Sequence, residues 1–184
     1  MLKTTASYNG DFMCEVALPN REISFVYHKE ILQQLKNIIP QSTAINIQEA
    51  MFTGDNIKFQ NAMQILLTQS VSFYDVGGEN FYHGLMLGIC ALLGDSYVVT
   101  SNREAGDGRY DIQLKPAKSN LPGVLIDLKF QKACTKGQLE ELAQKALQRI
   151  VDKKYDSEML SEGIEAIYKY GVAFSGKNVE IVVG

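Results

Sequence analysis

Three residues in the middle of the chain have the types and spacing that metal-assisted hydrolysis needs: Asp111, Asp127 and Lys129. The last two lie two apart in GVLIDLKF, Gly123 to Phe130, where Val124, Ile126, Leu128 and Phe130 alternate with Leu125, Asp127 and Lys129. Alternation of period two marks a β-strand, so the aspartate and the lysine share a face. Upstream, GRYDIQLK alternates as well, with Arg109, Asp111, Gln113 and Lys115 on one side and Tyr110, Ile112 and Leu114 on the other. The turn-rich PAKSNLPG between the two runs predicts an antiparallel hairpin. A symmetric turn at Ser119 then sets Asp111 opposite Asp127.

Directly opposed residues have Cβ atoms about 4.5 to 5.5 Å apart, and opposed like charges destabilise a sheet. Two carboxylates so placed call for a cation. Lys129 can neutralise one of them, whereas a divalent ion with oxygen ligands, such as magnesium, satisfies both. That arrangement suits phosphodiester hydrolysis: the ion offsets phosphate charge and acidifies a water, and a lysine orients that water or steadies the transition state. The same alternation also fits a half-exposed hairpin whose charged face simply meets water.

The elements that would hold these residues can be read from the apolar pattern. From Gly78 onward the order is helix (GENFYHGLMLGICALLGD), three strands (SYVVTSN, GRYDIQLK, GVLIDLKF), a long amphipathic helix (TKGQLEELAQKALQRIVDKKY), a second helix (SEMLSEGIEAIYKY) and two strands in GVAFSGKNVEIVVG. This is an α/β arrangement around a mixed central β-sheet. Residues 1–70 are of another kind, a short strand in DFMCEVALPN followed by helical patterns over REISFVYHKEILQQLKNII, Ile45 to Phe52 and Ile57 to Leu67, the last preceded by Asp55 and Asn56 as capping residues. The expected division is an N-terminal, mainly helical appendage over 1–70 and a core over 71–184.

At 184 residues the chain is long enough for one principal core, and 46% hydrophobic with 21% charged residues is ordinary for a folded domain. A net charge of −3 argues against a protein that coats nucleic acid by bulk electrostatics, so any phosphate contact has to be local. Cys14, Cys90 and Cys134 are odd in number and lack CxxC spacing, which favours reduced thiols in a cytoplasm over zinc or disulfides. MLKTTASYNGDF has no apolar signal region, and FYHGLMLGICALLG is shorter than the about 20 residues a membrane span needs. The expectation is a cytoplasmic protein without a membrane segment.

The combination GDGRYDIQL, GVLIDLKF and a long helix resembles the PD-(D/E)xK nuclease superfamily, with Asp111 as the first acidic residue and Asp127-Leu128-Lys129 as the D-x-K element. PN-R-E-I, GENFYHGLMLG, SNREAGDGRYD and KYGVAFSGKNVEIV further resemble the nuclease-like domain found behind AAA-ATPase-like modules in bacterial proteins. The resemblance implies a restriction-endonuclease-like αβββαβ core and a magnesium-dependent nuclease, manganese substituting, that acts on DNA in preference to RNA. Asp111, Asp127 and the Leu128 carbonyl would hold the ion, and Lys129 would assist the attacking water. Glu79 matches the acidic residue such nucleases often place near the metal, although a glutamate at a helix start is also favoured by the helix dipole. His83, one turn on, reads as a packing or hydrogen-bonding partner in preference to a ligand, because no second histidine or cysteine stands at metal spacing.

The long helix departs from the pattern. Where the family tends to read Ala-Leu-x-Gln-Ile, this chain has Ala146-Leu147-Gln148-Arg149-Ile150. Gln148, Arg149 and Arg109 are the substrate-binding candidates, and Lys145, Arg149 and Lys153 form a basic ridge at i, i+4 and i+8 that fits either a phosphate track or a solvated face. GVAFSGKN matches the opening of a phosphate-binding loop, but Asn178 replaces the Ser or Thr and a strand follows, so it reads as a hairpin turn. Two functions stay open: a metal-dependent nuclease, and a catalytically inactive nuclease-fold module that binds or docks beside an AAA-ATPase-like partner.

Overall fold

GVLIDLKF becomes the central strand of a five-stranded sheet in the computed structural model. The structure describes residues 2–8, 11–16, 41–70, 78–93, 96–102, 104–105, 108–117 and 120–184. The chain forms two compact units, 1–37 and 38–184. In the first, β1 (Leu2–Tyr8) and β2 (Asp11–Val16) pair antiparallel, with a register shift between Thr4 and Ala6. The helix predicted over 21–39 lies outside the described residues.

The second unit begins with α1 (Gln41–Thr53) and α2 (Asn56–Ser70). Asp55 starts α2, its Oδ1 accepting from the Lys58 N–H at 2.9 Å. Then come α3 (Glu79–Ala91), β3 (Tyr97–Ser101), a short hairpin of β4 (Glu104–Ala105) with β5 (Gly108–Arg109), β6 (Ile112–Pro116) and β7 (Gly123–Phe130). They are followed by α4 (Lys136–Asp152), α5 (Ser157–Ser161), β8 (Ile167–Ser175) and β9 (Asn178–Val183). The sheet order is β3-β6-β7-β8-β9, with β7 and β8 parallel and the other pairs antiparallel. A parallel pair needs a crossover, and α4 with α5 supplies it. Among the described residues no helix is long and apolar enough to cross a membrane.

The sheet is the middle of three layers. Val124, Ile126 and Leu128 face the larger core with Ile47, Met51, Phe59, Met63, Met86 and Ile89 from α1, α2 and α3. Leu125, on the opposite face, packs with Tyr110, Ile150, Tyr155 and Met159 under α4. The half-exposed hairpin is therefore not what forms: both faces of β7 are covered, and Gln113 and Asp127 are buried.

α4 is built to lie close. Thr135 and Gln138 cap it reciprocally, and Leu139, Ala143, Ala146 and Ile150 make one buried stripe. Its seat on β8 is Gly171, the register partner of Asp127. A Cβ there would collide with the Ala143 carbonyl and stand 2.5 Å from the Leu147 nitrogen. The missing side chain is what lets the helix settle beside Asp127.

Two expectations need correction. The helix predicted over SEMLSEGIEAIYKY covers only Ser157–Ser161, and β8 already begins at Ile167. Gly163, at φ +84, ends the turn, and the β-branched and aromatic Ile167, Tyr168 and Tyr170 prefer the sheet. GRYDIQLK is also not one strand: β5 pairs with β4, β6 starts at Ile112, and Asp111 sits in the bend between them. GVAFSGKN is the predicted hairpin turn, Ser175 pairing with Asn178 across Gly176 at φ +58.

On the far side of the sheet, α2 seals β9 with amide side chains. Asn56 Nδ2 donates to the Ile181 carbonyl at 3.3 Å, the Ile181 N–H donates to Gln60 Oε1 at 3.1 Å, and Gln64 Nε2 donates to the Lys177 carbonyl at 2.7 Å.

Candidate active site

The hairpin register is the one predicted from a symmetric turn at Ser119. Ile112 pairs with Ile126, Gln113 with Leu125 and Leu114 with Val124, so Asp111, one step beyond the strand, stands at the level of Asp127. Its Oδ2 accepts the Leu128 N–H at 2.7 Å. Asn102, in the left-handed region at φ 53, holds the same bend by donating its N–H to the Asp111 carbonyl at 3.0 Å. His83 Nε2 lies 3.3 Å from that carbonyl and 3.4 Å from Asn102 Nδ2. Of the two roles the sequence left open for His83, packing and hydrogen bonding, the second describes this placement.

Asp127 is fully buried and held by two cations. Lys129 Nζ donates to its Oδ2 at 2.7 Å and Arg149 Nη1 to its Oδ1 at 2.9 Å. Lys129 Nζ also donates to the Leu128 carbonyl at 3.0 Å. Burial pushes the Asp127 carboxyl above its usual range; the hydrogen bond and charge of Lys129 oppose this, the negative charge of Asp111 adds to it, and Arg149 opposes it. The positive neighbours thus offset only part of what burial does to Asp127. Arg149 extends further, Nη2 donating to the Arg109 carbonyl at 3.3 Å and the guanidinium carbon standing 6.0 Å from the centroid of the Tyr155 ring.

Beside these groups opens a cavity of about 290 Å³ lined by Glu79, Asn80, His83, Asn102, Arg109 and Asp111 together with Leu128. Its far wall is the first turn of α3. That helix is fixed by Tyr82, which stacks on Phe174 at 4.3 Å and donates its hydroxyl to the Gly176 carbonyl at 2.6 Å. Of the predicted site residues, Asp111, Asp127, Leu128, Lys129, Arg109 and Arg149 come together, and Glu79 reaches the same cavity. Gln148 does not: it is exposed and donates to Asp152 Oδ1 at 2.7 Å.

A model of the PD-(D/E)XK nuclease superfamily matches residues 77–183. The chain belongs to that superfamily. None of the curated proteins compared with it matches. Members of the PD-(D/E)XK superfamily are generally divalent-metal-dependent nucleases, and the matched span runs from just before α3 to the end of β9, enclosing every residue of the cluster.

The PD-(D/E)XK donor set passes a chemical test for a divalent ion. Asp111, Asp127 and the Leu128 carbonyl are hard oxygen donors of the kind magnesium takes. Two of these three groups already touch one positive charge, the Lys129 ammonium. Among the described residues, however, no three His, Cys, Asp or Glu side chains cluster closely enough to hold a metal by themselves. Carbonyl and water ligands have to complete the shell. The sequence did not single out Asn102 or Asn80 as cavity residues; an asparagine in the turn-rich SNREAGDG is the one available hint for the first.

Proposed function

We propose that the chain is a magnesium-dependent nuclease that hydrolyses phosphodiester bonds of DNA, RNA being the less favoured substrate and manganese an acceptable substitute. The observation that carries this reading is the convergence of the first aspartate and the D-x-K element on successive residues of β7. Asp111 Oδ2 takes the Leu128 N–H while Lys129 Nζ bridges Asp127 Oδ2 and the Leu128 carbonyl.

Asp111, Asp127 and the Leu128 carbonyl would hold the ion, with Glu79 contributing from across the cavity. When bound, the ion supplies Lewis acidity to the phosphodiester. Lys129, fixed by two acceptors, hydrogen-bonds the attacking water and steadies charge as the phosphorus–oxygen bond breaks. Arg109 on the cavity wall and the Lys145–Arg149–Lys153 ridge of α4 grip flanking phosphates, while Gln148, turned to Asp152, takes no part. In this reading residues 71–184 carry the chemistry, residues 1–70 are an N-terminal appendage, and the substrate is cytoplasmic nucleic acid. The test is cleavage of single-stranded, duplex and branched DNA, and of RNA, with magnesium or with EDTA. Wild type should cut only with metal, and Asp127→Asn and Lys129→Ala should not; equal behaviour of wild type and Asp127→Asn refutes catalysis.

One observation favours a second reading. Both oxygens of Asp127 are already engaged by cations of the chain itself, which is how a nuclease fold retained only for binding or docking would look. Such a module would bind nucleic acid or an AAA-ATPase-like partner, the latter resting on sequence resemblance alone. Calorimetry separates the two, since the module takes up no manganese in a manner that depends on Asp111.

A further inference from the structure

Arg149 is the residue that the nuclease reading leaves with two incompatible tasks. It sits on Asp127, a carboxylate the ion needs, and it belongs to the ridge that would grip phosphate. The geometry points to a resolution: we propose that Arg149 is an exchangeable counter-cation, which closes Asp127 in the free protein and moves to a substrate phosphate, so that nucleic acid and metal enter the site together. This rests on the nuclease reading above.

Charge supplies the first argument. In the free site the carboxylates of Asp111 and Asp127 stand against the ammonium of Lys129 and the guanidinium of Arg149, which leaves the cluster formally neutral. A divalent ion added to a neutral cluster around the buried Asp127 leaves an uncompensated double charge. If nucleic acid arrives with the ion, the scissile phosphodiester lowers the excess to one charge, and a flanking phosphate taken up by Arg149 removes the rest.

Geometry supplies the second. Lys129 contacts Asp127 and the Leu128 carbonyl, so it is tied to the strand that forms the site. Arg149 is held differently. It gives Asp127 one hydrogen bond, its other amino group takes the backbone carbonyl of Arg109, and its side chain is 39% exposed. A guanidinium offers a planar fork suited to two parallel bonds with a phosphate, so the exchange improves its own bonding. Arg149 is in this sense a positioning residue, one that decides when Asp127 becomes available.

The experiment is a calorimetric titration of Mn²⁺ into the full chain, alone and with a short phosphorothioate DNA that resists cleavage. It compares wild type, Arg149→Gln, Arg149→Lys and Asp127→Asn, each checked for native circular dichroism. Without DNA, Arg149→Gln should bind Mn²⁺ about tenfold more tightly than wild type, a typical coupling between sites. Arg149→Lys, which keeps the charge, should stay near wild type. Adding DNA should tighten Mn²⁺ binding in wild type by a factor about tenfold larger than in Arg149→Gln, and Asp127→Asn should abolish binding throughout. If Asp127→Asn abolishes binding but Arg149→Gln matches wild type, the counter-cation role is wrong and the metal site stands. If no form binds Mn²⁺ with or without DNA, the nuclease reading fails and takes this inference with it. Should Arg149→Gln not fold, wild type still decides, because no gain in Mn²⁺ affinity on adding DNA overturns the exchange.

Discussion

Replacing Gly171 by alanine tests how the helix is held over the site. The new Cβ would meet backbone atoms of α4: it collides with the Ala143 carbonyl and stands 2.5 Å from the Leu147 nitrogen and 2.9 Å from the Leu147 Cβ. Ordinary non-bonded contacts between carbon atoms lie at about 3.5 to 4.0 Å, so α4 has to retreat by about 1 Å. No rotamer change relieves backbone atoms, which puts the cost at the upper end for overpacking, about 3 kcal/mol. For a chain of this size that corresponds to a fall in Tm of about 6 to 12 °C. The same retreat displaces Arg149, two residues beyond Leu147, from its place over Asp127, so its guanidinium no longer meets a substrate phosphate in the productive position. Cleavage should fall about a hundredfold, the usual result of a 1 Å misplacement. Thermal melts and a cleavage assay in magnesium read both effects. Gly84→Ala is the control, since Gly84 is an exposed helical glycine with nothing within 4 Å of an added Cβ. It should gain about 0.5 to 1 kcal/mol. A Gly171→Ala protein that melted within about 2 °C of wild type would refute the close seating of α4.

Other expectations follow from the same geometry. Because the folded state raises the Asp127 pKa, ionisation of this group lowers stability as pH climbs from the ordinary carboxylate range through the raised folded value. The Tm of Asp127→Asn measured in EDTA should therefore move upward relative to wild type across that window, and a relative fall would show that the ion pairs outweigh burial. Cys90 is fully buried with its thiol pushed up to about 12, whereas Cys134 is partly exposed. Iodoacetamide on the native protein, read by peptide mass spectrometry, should label Cys134 and reach Cys90 only after unfolding. Gln148→Ala should change stability by less than about 0.5 kcal/mol and leave DNA affinity unaltered, as its side chain is engaged with Asp152 on the exposed face; a tenfold loss of affinity in a binding assay would instead make it a phosphate contact.

Much of the core was legible because short-range rules governed it. The strand GVLIDLKF, the long helix and the hairpin register each follow from local alternation, an amphipathic period or a symmetric turn. Legibility failed where distant packing decided. Gly163 and the aromatic run after it converted the end of a predicted helix into β8, whose place beside β7 no local pattern specifies. Asp111 was read as a strand residue, and only the β4–β5 hairpin turns its segment aside. The ion pair of Arg149 with Asp127 depends on α4 crossing back over the sheet, and nothing in Ala-Leu-Gln-Arg-Ile announces it. Gly171 looked like one more small residue in a strand, yet its lack of a side chain sets the height of the helix above the site.

The amides of α2 at β9 bear on how this protein behaves when stressed. An outermost strand with unpaired peptide groups invites a second molecule to add its own strand. Here a visiting strand would find the Ile181 amide and carbonyl already bonded to Gln60 and Asn56, and the Lys177 carbonyl to Gln64. Sheet growth in that direction is obstructed while α2 stays in place, so detachment of this helix is the event that would open the edge to aggregation.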